Sequence, residues 1–200
     1  MDILFLIGAG IFALSSTYFF YREQASLTVQ HDGFRAAFFV SAMTLVSYLL
    51  MWSGAWTVEQ FGEPIYYTRW LGYALSCSLL MYSIGSMTGR STKQIANMVG
   101  LTALVMVTGA LAAVFAGELL FWVFFILSSV LYLPLVMPLL VGEDTNRTVR
   151  AFVLLGWNIF PVVFLLSPAG WGVVSTTIAT AMYLVLDVFT KILFYLAPEK

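Results

Sequence analysis

The chain has 200 residues, of which 61% are hydrophobic and 10% charged, with a mean hydropathy of +0.93. That composition excludes an ordinary water-soluble domain, because so much apolar surface is at home only where lipid replaces water. A net charge of −1 with no basic run gives no support to nucleic-acid binding, and the single cysteine, Cys77, excludes an intrachain disulfide framework.

At about 20 residues per crossing, the length fits one domain, residues 1–200, of seven short-looped spans. Seven apolar stretches predict helices near 3–21, 34–56, 65–86, 95–114, 119–140, 149–167 and 172–196. Helices are expected because they satisfy their own backbone groups in lipid. The first stretch, MDILFLIGAGIF, carries Asp2 and no Lys or Arg, so it reads as a span rather than a signal peptide. The third carries Arg69 near one end, followed by Gly72, Ser76 and Ser83 at helical spacings on one stripe. Such a stripe lines an internal site or packs closely against a neighbouring helix. Tyr73 on the third helix, Trp122 on the fifth, and Trp157, Phe160 and Phe164 on the sixth mark a candidate cavity. Pro161 stands inside the sixth span. The seventh stretch holds Asp187 and Lys191.

The loop charges sort cleanly. Arg22, Arg35, Arg90, Lys93, Arg147, Arg150 and Lys200 fall on one side of a seven-span chain, and Asp2, Glu59, Glu63 and Glu118 on the other. The positive-inside rule therefore predicts the N-terminus outside and the C-terminus in the cytoplasm. An even number of spans would mix the two sets.

Three charges remain inside spans: Arg69, Asp187 and Lys191. A charge at the bilayer centre costs roughly 2.5–3.5 kcal/mol on insertion scales, so each is expected to face the bundle interior with a partner. Asp187 and Lys191 are four residues apart and share a helix face. They form either a structural ion pair, as in a small transporter, or a site where a desolvated lysine forms an imine with an aldehyde and the carboxylate neutralises it.

Several segments together resemble the microbial (type 1) rhodopsins of the bacteriorhodopsin and halorhodopsin kind. YLVLDVFTKILF (183–194) is similar to their retinal-binding helix, and WNIFPVVF (157–164) to their W-x-x-Y-P-x-x-W pattern. EPIYYTRWLGYALSCSLL (63–80) resembles their third helix. The resemblance implies an all-α seven-helix bundle in the plasma membrane, without enzymatic activity or a metal. It implies all-trans retinal joined to Lys191 as a protonated Schiff base, with Asp187 as counterion. Arg69, Tyr73, Trp122, Trp157, Phe160, Phe164 and Thr190 would surround the chromophore, and related proteins often form trimers.

The departures are chemical. Where proton-pumping relatives place an acceptor and a donor carboxylate, this chain has Gly72 and Ser83, and their release glutamates fall on Ala169 and Ala179. Outward proton pumping by that route is not expected. Two cations against one carboxylate call for an external anion, expected between Gly72, Ser76 and Arg69. YALS (73–76) is similar to the W-A-L-S of halide pumps, which points to chloride and light-driven anion transport. A sensor acting on a separate transducer is the alternative, suggested by Thr190, although its tyrosine partner is Phe160 here. A light-gated channel, suggested by Cys77, ranks last.

Overall fold

The computed structural model describes residues 3–25, 30–142, 145 and 147–197, with the side chains of 30–32 left undescribed. The expected charges of Asp2 and Lys200 lie outside these residues. Seven helices run α1 (Ile3–Ala25), α2 (Gln30–Trp52), α3 (Thr68–Met87), α4 (Thr92–Val114), α5 (Leu119–Val141), α6 (Arg147–Leu166) and α7 (Thr176–Leu196). Apart from α3, all are long and apolar enough to cross a membrane. α3 is less apolar because it carries Arg69 with Ser76, Ser78, Ser83 and Ser86.

Stripes of residues at helical spacing bury each helix against its neighbours. On α1 the stripe runs Phe5, Gly8, Phe12, Ser15, Phe19 and Glu23. Gly8 is needed there, because a Cβ at that position would collide with the ring of Tyr48 from α2. At the other extreme, α5 presents Val123, Ile126, Val130 and Leu133 to its surroundings. These exposed apolar side chains suit a lipid surface.

The α2–α3 connection differs from the expected spans. α2 ends at Trp52 rather than 56, and the chain forms a hairpin of β1 (Thr57–Gln60) and β2 (Glu63–Tyr66). Thr57 pairs with Tyr66 and Gln60 with Glu63. Phe61 and Gly62 take φ of 55° and 75°, which fits a two-residue turn with both central residues left-handed. Residues 53–56 and 65–67, expected as span ends, thus belong to the connection, and 57–64, expected as a loop, is mostly paired strand.

The last two helices are irregular where they meet. α6 passes through a π-helical segment, Val153–Trp157, and α7 through another, Phe189–Leu193. Each adds a residue to one turn and rotates the side chains beyond it, a feature common at functional sites. Lys191 sits inside the second.

Candidate functional site

The spacing of Asp187 and Lys191 leads to the contact it predicts. Lys191 Nζ donates to Asp187 Oδ1 at 2.7 Å, with the two side chains 1% and 0% exposed. Asp187 Oδ2 accepts from Tyr48 Oη at 2.9 Å and from Tyr73 Oη at 3.1 Å. Both oxygens of the carboxylate are thus committed. Charge-assisted bonds of this kind are the stronger ones, and a buried carboxylate needs them. The ammonium also lies 4.1 Å from the centroid of the Tyr73 ring, within cation–π range.

One turn before Tyr73, Arg69 is 7% exposed. Its guanidinium carbon stands 4.3 Å from the Tyr183 ring centroid, and Nη2 reaches Thr180 Oγ1 at 3.4 Å. Nη1 is buried with no hydrogen-bond partner among the described residues.

A cavity of about 110 Å³ lies beside the pair. Its walls include Tyr73 and Cys77 of α3, Phe125 of α5, and Trp157, Phe160 and Phe164 of α6. The Phe160 ring meets Tyr73 edge-on at 5.5 Å and Tyr183 in a stack at 6.1 Å. Tyr73 is shared between the cavity and the amine, so an apolar, aromatic-walled space adjoins a buried lysine. That arrangement fits a long apolar aldehyde attached at Nζ.

Two expected members stand elsewhere. Trp122 does not line the cavity; it is 38% exposed and packs on Phe121 and Trp171. The rotation of α5 turns Phe125 inward in its place. Thr190 is buried, but its hydroxyl donates to the Leu186 carbonyl at 2.7 Å, and it does not line the cavity either.

The expected anion cup between Gly72 and Ser76 is filled. The Ser47 side chain from α2 occupies the space that a Cβ on Gly72 would enter. Ser76 donates its hydroxyl to the Gly72 carbonyl at 2.7 Å, so that donor is committed. Gly72 therefore serves close helix packing, with small residues in contact across α2 and α3. Ser83 remains buried on the same stripe, with Met87 Sδ 3.8 Å away as its contact.

Tyr48 and Ser47 are site residues that the sequence reading did not single out. A signal was present: Ser41, Thr44, Ser47 and Tyr48 form a buried polar stripe on α2 at helical spacings. Isolated hydroxyls in apolar helices are common enough to hide it.

Comparison with known proteins agrees with this architecture. Residues 1–197 match the model of the family described as bacteriorhodopsin-like protein. Cruxrhodopsin-3 of Haloarcula vallismortis is 29% identical over 94% of this chain and 84% of its own length. A sensory rhodopsin of Halorubrum sodomense is 30% identical over 95% of this chain and 76% of its own. Among solved structures, schizorhodopsin 4 superposes with a TM-score of 0.87 at 36% identity, covering 98% of this chain and 97% of that one.

Proposed function

The chain belongs to the bacteriorhodopsin-like family, and on that premise we propose that it is a light-absorbing membrane protein carrying retinal on Lys191, with Asp187 as its counter-charge. The observation that carries this reading is the fully buried Lys191–Asp187 pair, 2.7 Å apart, beside an aromatic cavity. Attachment joins the aldehyde carbon to Nζ as an imine and releases one water. Bound retinal supplies light absorption and isomerisation. The residues of the chain do the rest. Asp187 holds the proton and positive charge at Nζ, and Tyr48 and Tyr73 fix the carboxylate. Trp157, Phe160 and Phe164 exclude water from the neighbouring space.

Adding all-trans retinal to the expressed apoprotein tests this. A visible band is expected, and Lys191→Ala abolishes it. No band, or one that survives that substitution, overturns the linkage.

For ion movement, the reading best supported is an anion-linked one. Gly72 and Ser83 offer no carboxylate, and Asp187 alone faces two buried cations. Light-driven chloride transport is the form of this reading to test. Illuminated vesicles should then move net charge in chloride and fall silent when a large organic anion replaces it. Proton flux without chloride overturns it. The sensory alternative lacks a geometric link, since Thr190 bonds to backbone and Phe160 has no hydroxyl. The sorting of Arg90, Lys93, Arg147 and Arg150 to one end supports a plasma-membrane orientation with the N-terminus outside.

A further inference from the structure

Two hollows lie in the bundle on either side of one wall. The larger, of about 110 Å³, shares Tyr73 with the Lys191 site and has Cys77 on its lining. A second, of about 50 Å³, lies at the outer end between β2, the segment after α6 and the first turns of α7. Arg69, Trp70, Phe164 and Tyr183 line both. The wall between them therefore has two halves of different character. In one, the Arg69 guanidinium lies over the Tyr183 ring, with its carbon 4.3 Å from the centroid. In the other, the Trp70 indole meets the Phe164 ring edge-on at 5.0 Å.

The indole is held from behind as well. A Cβ on Gly109 of α4 would lie 2.5 Å from Trp70 Cζ3, so the ring fills a notch that only glycine leaves. Trp70 thus spans from α4 to α6 and packs into the cluster of Ala112, Ala113, Phe121 and Phe164. The two hollows differ in what they suit. The outer one has Arg69, Ser167, Thr176 and Thr180 among its lining residues, and its volume exceeds the roughly 10–15 Å³ that one water needs. The inner one is walled largely by rings. Water beside an imine is a hazard, because its addition to the imine carbon returns the aldehyde and the free amine.

We propose that the Trp70–Phe164 ring pair is an apolar seal that keeps water and small polar nucleophiles of the outer hollow from the cavity beside Lys191. A polar solute crossing between two rings gives up its hydrogen bonds and finds none in return. The seal is a property of the wall in either form of the protein. Only the linkage that it protects rests on the retinal reading above.

The single cysteine tests the wall without any chromophore, since Cys77 is free, buried and on the inner lining. Purified apoprotein is treated with a small cationic methanethiosulfonate, which forms a mixed disulfide with the Cys77 thiolate and releases sulfinate. The gain in mass is followed in time. The parent thiol is reached only when the fold opens locally, so a standing passage in Trp70→Ala or Phe164→Ala should raise the rate at least about tenfold. Trp70→Leu keeps an apolar side chain without the reach of the indole, disturbs the fold less, and should move the rate in the same direction. Trp122→Ala removes an outer aromatic that lines neither hollow and should leave the rate unchanged. Equal rates in the parent and the Trp70 variants overturn the proposal. A rise in Tyr183→Ala alone also overturns it, because the passage then runs along Arg69. In the retinal-bound protein, hydroxylamine converts the imine to an oxime and frees the Lys191 amine. It should bleach Trp70→Leu faster than the parent in the dark. A band that bleaches equally fast in both defeats the seal, whereas no band in either defeats the retinal linkage and leaves the Cys77 result standing.

Discussion

Asp187 is the residue on which the site turns, because three donors converge on its two oxygens. Replacing it with asparagine keeps the shape and removes the charge, leaving the Lys191 cation buried and unpaired. Loss of one partner of a buried pair costs about 3–5 kcal/mol, so Asp187→Asn should unfold at markedly lower temperature or fail to accumulate. Tyr48→Phe removes one donor to a charged acceptor and should cost about 1.5–3 kcal/mol, read as faster thermal bleaching of the visible band. A bleaching rate equal to that of the parent would remove Tyr48 from the site. The Asp187–Lys191 contact was legible from a spacing of four. Tyr48 was not, since it bonds a residue 139 positions away. No local pattern distinguishes one inward tyrosine from the other aromatics in these spans.

Among the elements, the meeting of α6 and α7 carries the most structural information. A Cβ on Gly156 would lie 2.6 Å from Thr190 Cγ2 and 3.2 Å from the Phe189 ring. The two π-helical segments therefore touch through a position where a side chain does not fit. Gly156→Ala should force them apart at a cost of about 1–3 kcal/mol, with the visible band shifted or broadened because Lys191 moves with its segment. An unchanged melting temperature and band would show that the segments yield freely. The helices themselves follow from apolar length, and most boundaries agree with expectation to within a few residues. The hairpin does not follow in that way. The expected spans run to 56 and from 65, so Trp56 and Ile65 count there as span ends and Val58 and Phe61 as the loop between them. The strands of the hairpin exist because Phe61 and Gly62 reverse the chain and let the backbone pair. Pro161 was a sequence signal for the first π segment, because its missing N–H and its ring disturb the turn that ends at Trp157, four residues before it; the second segment contains no proline.

At the scale of the molecule, one end carries Glu59, Glu63 and Glu118 and the other Arg90, Lys93, Arg147 and Arg150. A fluorescent protein that matures only in the cytoplasm, fused after Lys200, should therefore light up. A dark fusion with the same expression level would reverse the proposed orientation. Class, span number and charge sorting were fixed by composition, because lipid penalises charge and unpaired backbone wherever they occur along a chain. The buried amine and its carboxylate were fixed as well, since one helix holds both. What the tertiary structure decided was rotation. It placed Ser47 in the space beside Gly72, turned Phe125 rather than Trp122 toward the cavity, and left Arg69 facing a second hollow. In water, an apolar stripe announces which face of a helix is inward. In lipid both faces are apolar, so only the packing of one helix against the next sets each helix's rotation, and with it which side chains meet.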